Sequence, residues 1–414
     1  MLRQNPTRIY LFIGGGRALF NALVFTINLI YQVETVGLNP FQMVLVGTLL
    51  EVTVLLFEVP TGAVADVYSR RLSVIIGLAL VGCGFLLEGS IPMFWAVLGA
   101  QVLWGIGYTF LSGALQAWLA DEIGVEAAGP VYLRSAQVEL IAGFVGIGIS
   151  VWLASRWLQL PILAGGVLYI ALAVFMLLIM PEKGFRPTPP EERETWKEMA
   201  DTARAGLRAV RGQPALRIVV GLSLVTGLYS EGYDRLWTPH LLNGFNFPSF
   251  LGLDDAVFWF GVIGAGAALT GIAANELARR GRAAEDRTRS INWLTLLYGL
   301  LPASLLLLAW TRSFWVAVVA LWGISLCRST IEPLENAWIV RNTRSAQRAT
   351  VISVWGQANS LGQAVGGPVL GWIGTAARIP VALTVSSAVL LPGQWLLGLA
   401  RKDRSSREGE DSQG

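Results

Sequence analysis

Two stretches, "GAVADVYSRR" at Gly62–Arg71 and "GIAANELARR" at Gly271–Arg280, carry Gly, then Asp or Asn, then paired Arg at the same offsets. Each lies between two apolar runs. A second echo supports the first: "LWGI" recurs at Leu103 and Leu321, followed by "AWL" at Ala117 and by "AWI" at Ala337. Matched echoes in matched places read as an internal duplication, and parallel repeats of membrane helices are a transporter signature.

The composition around these stretches requires a bilayer. Of 414 residues, 54% are hydrophobic and only 14% charged, against about 25% charged in an ordinary soluble domain. Apolar runs of about 20 residues, enough to cross a hydrocarbon core of ~30 Å, recur along the whole chain. The pattern predicts an all-α integral membrane protein of about twelve transmembrane helices. The spans run approximately Ile9 to Val33, Phe41 to Ala65, Ser73 to Met93, Phe94 to Leu119, Ser135 to Ser155 and Leu160 to Met180. After a polar stretch come Leu216 to Thr238, Asp255 to Leu277, Ile291 to Trp310, Phe314 to Val340, Val351 to Gly374 and Pro380 to Leu399. The expected division is a six-helix bundle over 1–180, a linker over 181–215, a second six-helix bundle over 216–400, and a tail over 401–414.

Charge sets the orientation. With a cytoplasmic amino terminus, Arg70, Arg71, Arg134, the stretch Lys183 to Arg217, and the clusters 279–289, 341–348 and 401–407 all fall inside, leaving Arg156, Arg312 and Arg378 outside. This asymmetry is the positive-inside rule, and it predicts an inner-membrane protein with both termini cytoplasmic. The net charge of +3 reflects topology, so nucleic acid is not an expected partner. The first apolar stretch is read as a retained span rather than a cleavable signal, because it is long and contains Arg17. In the linker, Trp196, Met199, Ala203, Leu207 and Val210 repeat at helical spacing, which predicts an amphipathic helix lying on membrane lipid or serving as a solvated connector.

"GAVADVYSRR" resembles the loop signature of the major facilitator superfamily, with Gly62, Asp66, Arg70 and Arg71 at the signature positions and "GIAANELARR" as a degenerate second copy. The resemblance covers nearly the whole chain and is strongest toward bacterial tetracycline and multidrug efflux permeases. It implies the major facilitator fold, alternating access, no cofactor, and a monomer. It also implies that Asp66 caps the start of the eleventh span near Val351 and latches an outward-open state, since helix amino termini attract anions. The sequence departs from the family pattern in three places. Ser69 replaces the signature's second Gly, Gln101 stands where drug–proton antiporters carry a basic residue, and "GFVGIGIS" lacks the Gly-Pro element of the fifth span.

Charges inside the spans are the candidate coupling and substrate residues, because each is costly in hydrocarbon. "SEGYDRLW" places Glu231, Asp234 and Arg235 on one helix face, so the two acids are expected to compete for one Arg. Glu51 falls near the midplane and Glu58 about two turns from the inner end, with Arg17 the expected partner of one of them. In the tenth span Arg328, Glu332 and Glu335 flank the helix-bending Pro333, and the four-residue spacing suggests that Arg328 and Glu332 pair. Trp104, Tyr108, Trp118, Tyr233, Trp237 and Trp322 are candidate cavity aromatics. His240, just past Pro239, is expected in an exposed loop, and Cys83 and Cys327 in helix packing. A single His and no Cys pair at ligand spacing give no basis for a metal site or His-based catalysis. "IGGGRALF" and "GVIGAGAALTG" lack the Lys and Ser/Thr of a phosphate loop, so ATP is not the expected driver.

Proton-coupled efflux of amphipathic or cationic small molecules is the leading functional expectation, and no enzymatic chemistry is expected. Coupling is assigned to Glu51 and Glu231. Two alternatives are an uptake or exchange carrier for an anionic solute bound by Arg17 and Arg328, and a non-transporting sensor or enzyme on the same scaffold.

Overall fold

A computed structural model describes the backbone of residues 5–187, 189, 196–249, 256–343 and 347–411, with side chains described except at 196–203, 349 and 402–411. All regular structure among them is helical. The helices are α1 Pro6–Phe25, α2 Asn28–Glu34, α3 Pro40–Val67, α4 Arg70–Ser90, α5 Phe94–Leu111, α6 Ala114–Ile123, α7 Val125–Ala154 and α8 Leu160–Ile179. They continue as α9 Trp196–Gly212, α10 Pro214–Gly244, α11 Ala256–Arg280, α12 Arg287–Trp310, α13 Phe314–Asn342, α14 Arg348–Ala376, α15 Ile379–Val389 and α16 Leu391–Asp411.

Three of the predicted spans are broken helices. The first is α1 with α2, the fourth α5 with α6, and the twelfth α15 with α16. The break before α6 falls at Gly113, whose φ of 72° suits a residue without Cβ. Counting each broken pair once, 10 helical segments among the described residues are long and apolar enough to cross a membrane. The other two predicted spans are α10 and α14. α10 carries Arg217, Glu231, Asp234 and Arg235, while α14 is rich in Gln, Asn, Ser and Gly.

The chain forms two compact units. One gathers Met1–Gln42, Leu49–Arg193 and Phe247–Gly264; the other gathers Met43–Thr48, Glu194–Asn246 and Ala265–Gly414. In the first unit, α1 packs on α7 and α8, and α4 on α5 and α8. In the second, the two least apolar spans lie on each other, α10 against α14. Gly362 permits this approach, since a Cβ there would stand 2.5 Å from the Leu224 carbonyl oxygen. In lipid no hydrophobic effect drives helices together, and such close backbone contact supplies van der Waals attraction in its place. α9 is the predicted amphipathic helix, although the side chains of Trp196, Met199 and Ala203 lie outside the described residues. Its Val210 is buried with Leu216, Val219, Ile339 and Val351, so part of its apolar face is spent on protein.

Most exposed tryptophans lie at helix ends away from the arginine clusters, with Trp395, near Arg401, at the other end. Trp95, Trp152, Trp157, Trp310, Trp315 and Trp372 make up the first group, as expected of amphipathic rings at a membrane–water boundary. Arg156 stacks over Trp152 at 4.0 Å.

Candidate functional site

At the first signature, helix α3 stops at Val67 and α4 begins at Arg70. Ser69 makes the break, because its Oγ accepts from the Leu72 backbone N–H at 2.9 Å as an amino-terminal cap. That Oγ donates in turn to Glu182 Oε2 at 2.7 Å, and Glu182 Oε1 accepts from the Arg71 backbone N–H at 2.9 Å. Arg70 therefore opens a helix with its guanidinium aimed across the unit. Its Nη1 donates to Asp121 Oδ2 at 2.5 Å and to the Ala117 carbonyl at 3.0 Å, while Nη2 lies 3.5 Å from Asp66. Arg71 Nη2 reaches the Leu177 carbonyl at 2.6 Å. Gly62 stands apart, since a Cβ there would meet nothing within 4 Å.

The second signature folds differently. Ala278 stands where Ser69 does, α11 runs on through Arg279 and Arg280, and both arginines, themselves exposed, pair at 2.7 Å with the half-exposed Glu276 on their own helix. The position matching Asp121 after the repeated "AW" is Arg341, which donates to Ser290 Oγ at 2.5 Å. The next helix is capped later, by Asp286 accepting from the Arg289 N–H at 2.8 Å. That N–H holds the Asp286 carboxyl below its ordinary value, with help from the Arg289 and Arg341 charges.

Between α10, α13 and α14 the second unit holds a cavity of about 540 Å³. Asp234 and Arg328 face it as a bidentate pair, with Nη2 to Oδ2 at 2.8 Å and a second contact from Nη1 to Oδ1. The Arg328 guanidinium sits over the Tyr233 ring at 5.3 Å. Glu332 is exposed to the cavity and has no ion-pair partner among the described residues. Glu335, 2% exposed, accepts from the Tyr298 hydroxyl at 2.8 Å and from Trp355 Nε1 at 3.0 Å. The Tyr229 hydroxyl borders the cavity, buried, with no hydrogen-bond partner among the described residues. On the α14 wall, Gln363 Nε2 donates to Asn359 Oδ1 at 2.7 Å and Asn359 Nδ2 to the Ser223 carbonyl at 3.2 Å.

Several expectations need correction. Glu231 and Asp234 do not compete for one cation: Arg235 Nε donates to Glu231 at 2.9 Å, and Asp234 takes Arg328. Arg328 therefore does not pair with Glu332, because a two-pronged contact across helices is stronger than a single one along its own. Arg17 forms no ion pair with Glu51 or Glu58 among the described residues; its helix packs on α7 and α8, and its Nε is buried without a hydrogen-bond partner. Glu58 is exposed on α3, and Glu51 is half-buried there. Trp118 is core rather than cavity wall, 1% exposed and donating to the Pro181 carbonyl at 2.7 Å. Trp104 stacks on Tyr108, whose own ring is exposed, while Trp237 and Trp322 are half-buried. His240 lies in α10, buried, with Nε2 2.9 Å from the Leu308 carbonyl, because that helix runs through Pro239 to Gly244. Cys327 is buried as expected, but Cys83 is exposed.

The sequence reading missed Asp121 and Glu182, and in the cavity Tyr229, Tyr298, Trp355, Asn359 and Gln363. It also passed over Glu88 in the third span. This carboxyl is 1% exposed and accepts from Gln32 Nε2 at 2.8 Å, with Gln101 Nε2 at 3.4 Å. The available signal was polarity inside apolar runs, above all "WGQANSLGQ" in the eleventh span.

The profile of the Major Facilitator Superfamily matches residues 9–327. An uncharacterized MFS-type transporter, YxaM, of Bacillus subtilis (strain 168) is 21% identical over 200 residues, which is 48% of this chain and 50% of that protein. The matched part thus spans about half the length of that curated relative. Among solved structures, a point mutant of the nucleoside transporter NupG aligns with a TM-score of 0.77 at 12% identity, covering 96% of this chain and 100% of its own. A bacterial homolog of the human lysosomal transporter Spinster, inward-facing and unoccupied, aligns at 0.75 and 13%, covering 97% of each chain. The human organic anion transporter MFSD10 aligns at 0.57 and 20%, covering 95% of this chain and 100% of that one. At these identities the structural likeness is one of fold.

Proposed function

The chain belongs to the Major Facilitator Superfamily, a multi-pass membrane protein, and from that premise we propose that it is a secondary transporter exporting cationic, amphipathic small molecules in exchange for protons by alternating access. The observation that carries this reading is the charge of the cavity in the second unit. Asp234, Glu332 and Glu335 face one arginine, Arg328, and that arginine is already held by Asp234. A cation is the ligand such a cavity favours. Tyr229 and Trp355 add apolar ring surface, and the Tyr229 hydroxyl can donate to a polar substituent. The alternative of an anionic solute bound by Arg328 would require displacing Asp234 and leaving its carboxylate without a partner.

We place the protein in the inner membrane with both termini cytoplasmic, on the strength of the arginine-rich helix ends. Asp66 is proposed as a gating residue and Glu332 as a substrate contact.

The test is flux of a lipophilic cation, tetraphenylphosphonium, into inside-out proteoliposomes under an imposed pH gradient. Gradient-driven accumulation is expected in the wild type, weakened at least tenfold in apparent affinity in Glu332→Gln. In Asp66→Asn, slowed turnover with retained binding is expected. Uptake insensitive to the gradient and to Glu332→Gln would overturn cation export, and normal turnover in Asp66→Asn would overturn the gate.

A further inference from the structure

The acids of the second unit differ in what protonation would cost them. Glu231 is held by Arg235 and Asp234 by Arg328. Adding a proton to either would break a partly buried ion pair from one side, which is strongly unfavourable. Glu335 carries no such penalty. It is buried, and the groups that face it are Tyr298 from α12, Trp355 from α14, Thr226 and Tyr229 from α10, and Glu332 one turn away on α13. Arg328, two turns away on α13, is engaged by Asp234.

The Tyr298 hydroxyl is shared. It lies 2.8 Å from Glu335 Oε1, 2.8 Å from Thr226 Oγ1 and 3.3 Å from the Leu222 carbonyl. A hydroxyl has one proton and two acceptor positions. With Glu335 ionised, Tyr298 donates to Oε1 and accepts from Thr226. With Glu335 protonated, the carboxyl donates to the Tyr298 oxygen, and the phenol proton turns to Thr226 or Leu222. Trp355 Nε1 donates to Oε2 in both states. Every hydrogen bond is thus satisfied with or without the extra proton, and no heavy atom has to move.

We propose that Glu335 is the proton-carrying carboxyl of this transporter and that Tyr298 is the positioning residue that accommodates both of its states. The proposal rests on the proton-exchange reading above and deepens it. A cationic substrate entering beside Glu332 replaces the positive charge of the proton, which leaves Glu335 for water. The charge of the cavity is then the same before and after.

The experiment is infrared difference spectroscopy of the purified full-length protein, following the carboxylic C=O stretch as pH is stepped. The experiment is run in a Glu88→Gln background, which removes the buried carboxyl of the first unit; there one buried carboxyl is expected to titrate between about pH 5 and 9 and to be absent once Glu335→Gln is added. Tyr298→Phe removes a hydrogen-bond partner from both states, and because the bond to the charged carboxylate is the stronger of the two, it should raise the midpoint by about one pH unit. Tyr298→Phe also serves if Glu335→Gln fails to fold. A spectrum without such a band, or a band that survives Glu335→Gln or keeps its midpoint in Tyr298→Phe, would overturn the proposal. Tetraphenylphosphonium is then added to the protonated protein. Bleaching of the band supports exchange, whereas a titrating band that the cation leaves unchanged would refute the cation reading and leave the proton site standing.

Discussion

The two copies of the signature share their letters but not their backbone. In the first copy, Ser69 caps a new helix, so Arg70 and Arg71 open α4 and reach across to Asp121 and the Leu177 carbonyl. In the second, Ala278 offers no cap, α11 continues through Arg279 and Arg280, and both turn back to Glu276 on the same helix. The opposing position is acidic in one unit, Asp121, and basic in the other, Arg341. One hydroxyl and one reversed charge thus separate a clamp between helices from a solvated helix end. A paired Arg in a sequence motif specifies no contact until the helix boundary beside it is known.

The comparison can be broken experimentally, most severely at Asp121. The Arg70–Asp121 pair is three-quarters buried on both sides, so Asp121→Asn should cost roughly 2 kcal/mol by depriving Arg70 of its nearest anion. Glu276→Gln, its counterpart in the exposed second copy, should leave the thermal midpoint in detergent unchanged. Equal losses in the two variants would show that both ends are clamps.

Ser69→Ala rewrites the first copy as the second. Loss of the cap and of the Glu182 contact should cost about 1–2 kcal/mol. Amide exchange should rise across 70–73, where the freed N–H groups lie. A wild-type exchange pattern would mean that the break at Ser69 is set by packing rather than by its hydroxyl.

The smallest effect is expected at the delayed cap of the second copy. The folded Asp286 carboxyl titrates below its ordinary value of 3.8, so its contribution is present above that pH and fades as the pH falls toward the folded value. Amide exchange at Arg289 should therefore quicken in acid in the wild type. In Asp286→Asn it should be independent of pH in that range after correction for intrinsic exchange, and an unchanged acid dependence would exclude Asp286 as its cause.

The spans and the two signatures were legible because hydropathy and spacing are properties of neighbouring residues. Contacts between distant positions were not. Arg70 finds Asp121 on α6, and Ser69 finds Glu182 beyond α8; nothing local in "YSRR" names either partner. Arg328 was assigned to Glu332 because both lie on one helix, yet the neighbouring helix offered Asp234 in two-pronged geometry. His240 was lost to a rule about Pro, which ends helices in water but is tolerated in a packed membrane helix where freed carbonyls find other partners. Glu335 was visible beside Pro333. Its significance depended on Tyr298 and Trp355, which are supplied by two other helices.

The pairing of α10 with α14 bears on how the chain enters a membrane. Charges at the centre of a span each disfavour insertion by about 3 kcal/mol, and α10 carries Glu231, Asp234 and Arg235. During synthesis it emerges well before α14, whose close-packed backbone is its main neighbour in the folded unit. Until then, α10 has neither that partner nor Arg328 on α13 to neutralise Asp234. Integration of α10 is therefore expected to be delayed, with the helix held beside the translocon until α13 and α14 follow. Chains truncated before residue 348 should leave α10 accessible to water-soluble thiol reagents at engineered cysteines, whereas full-length chains should bury it.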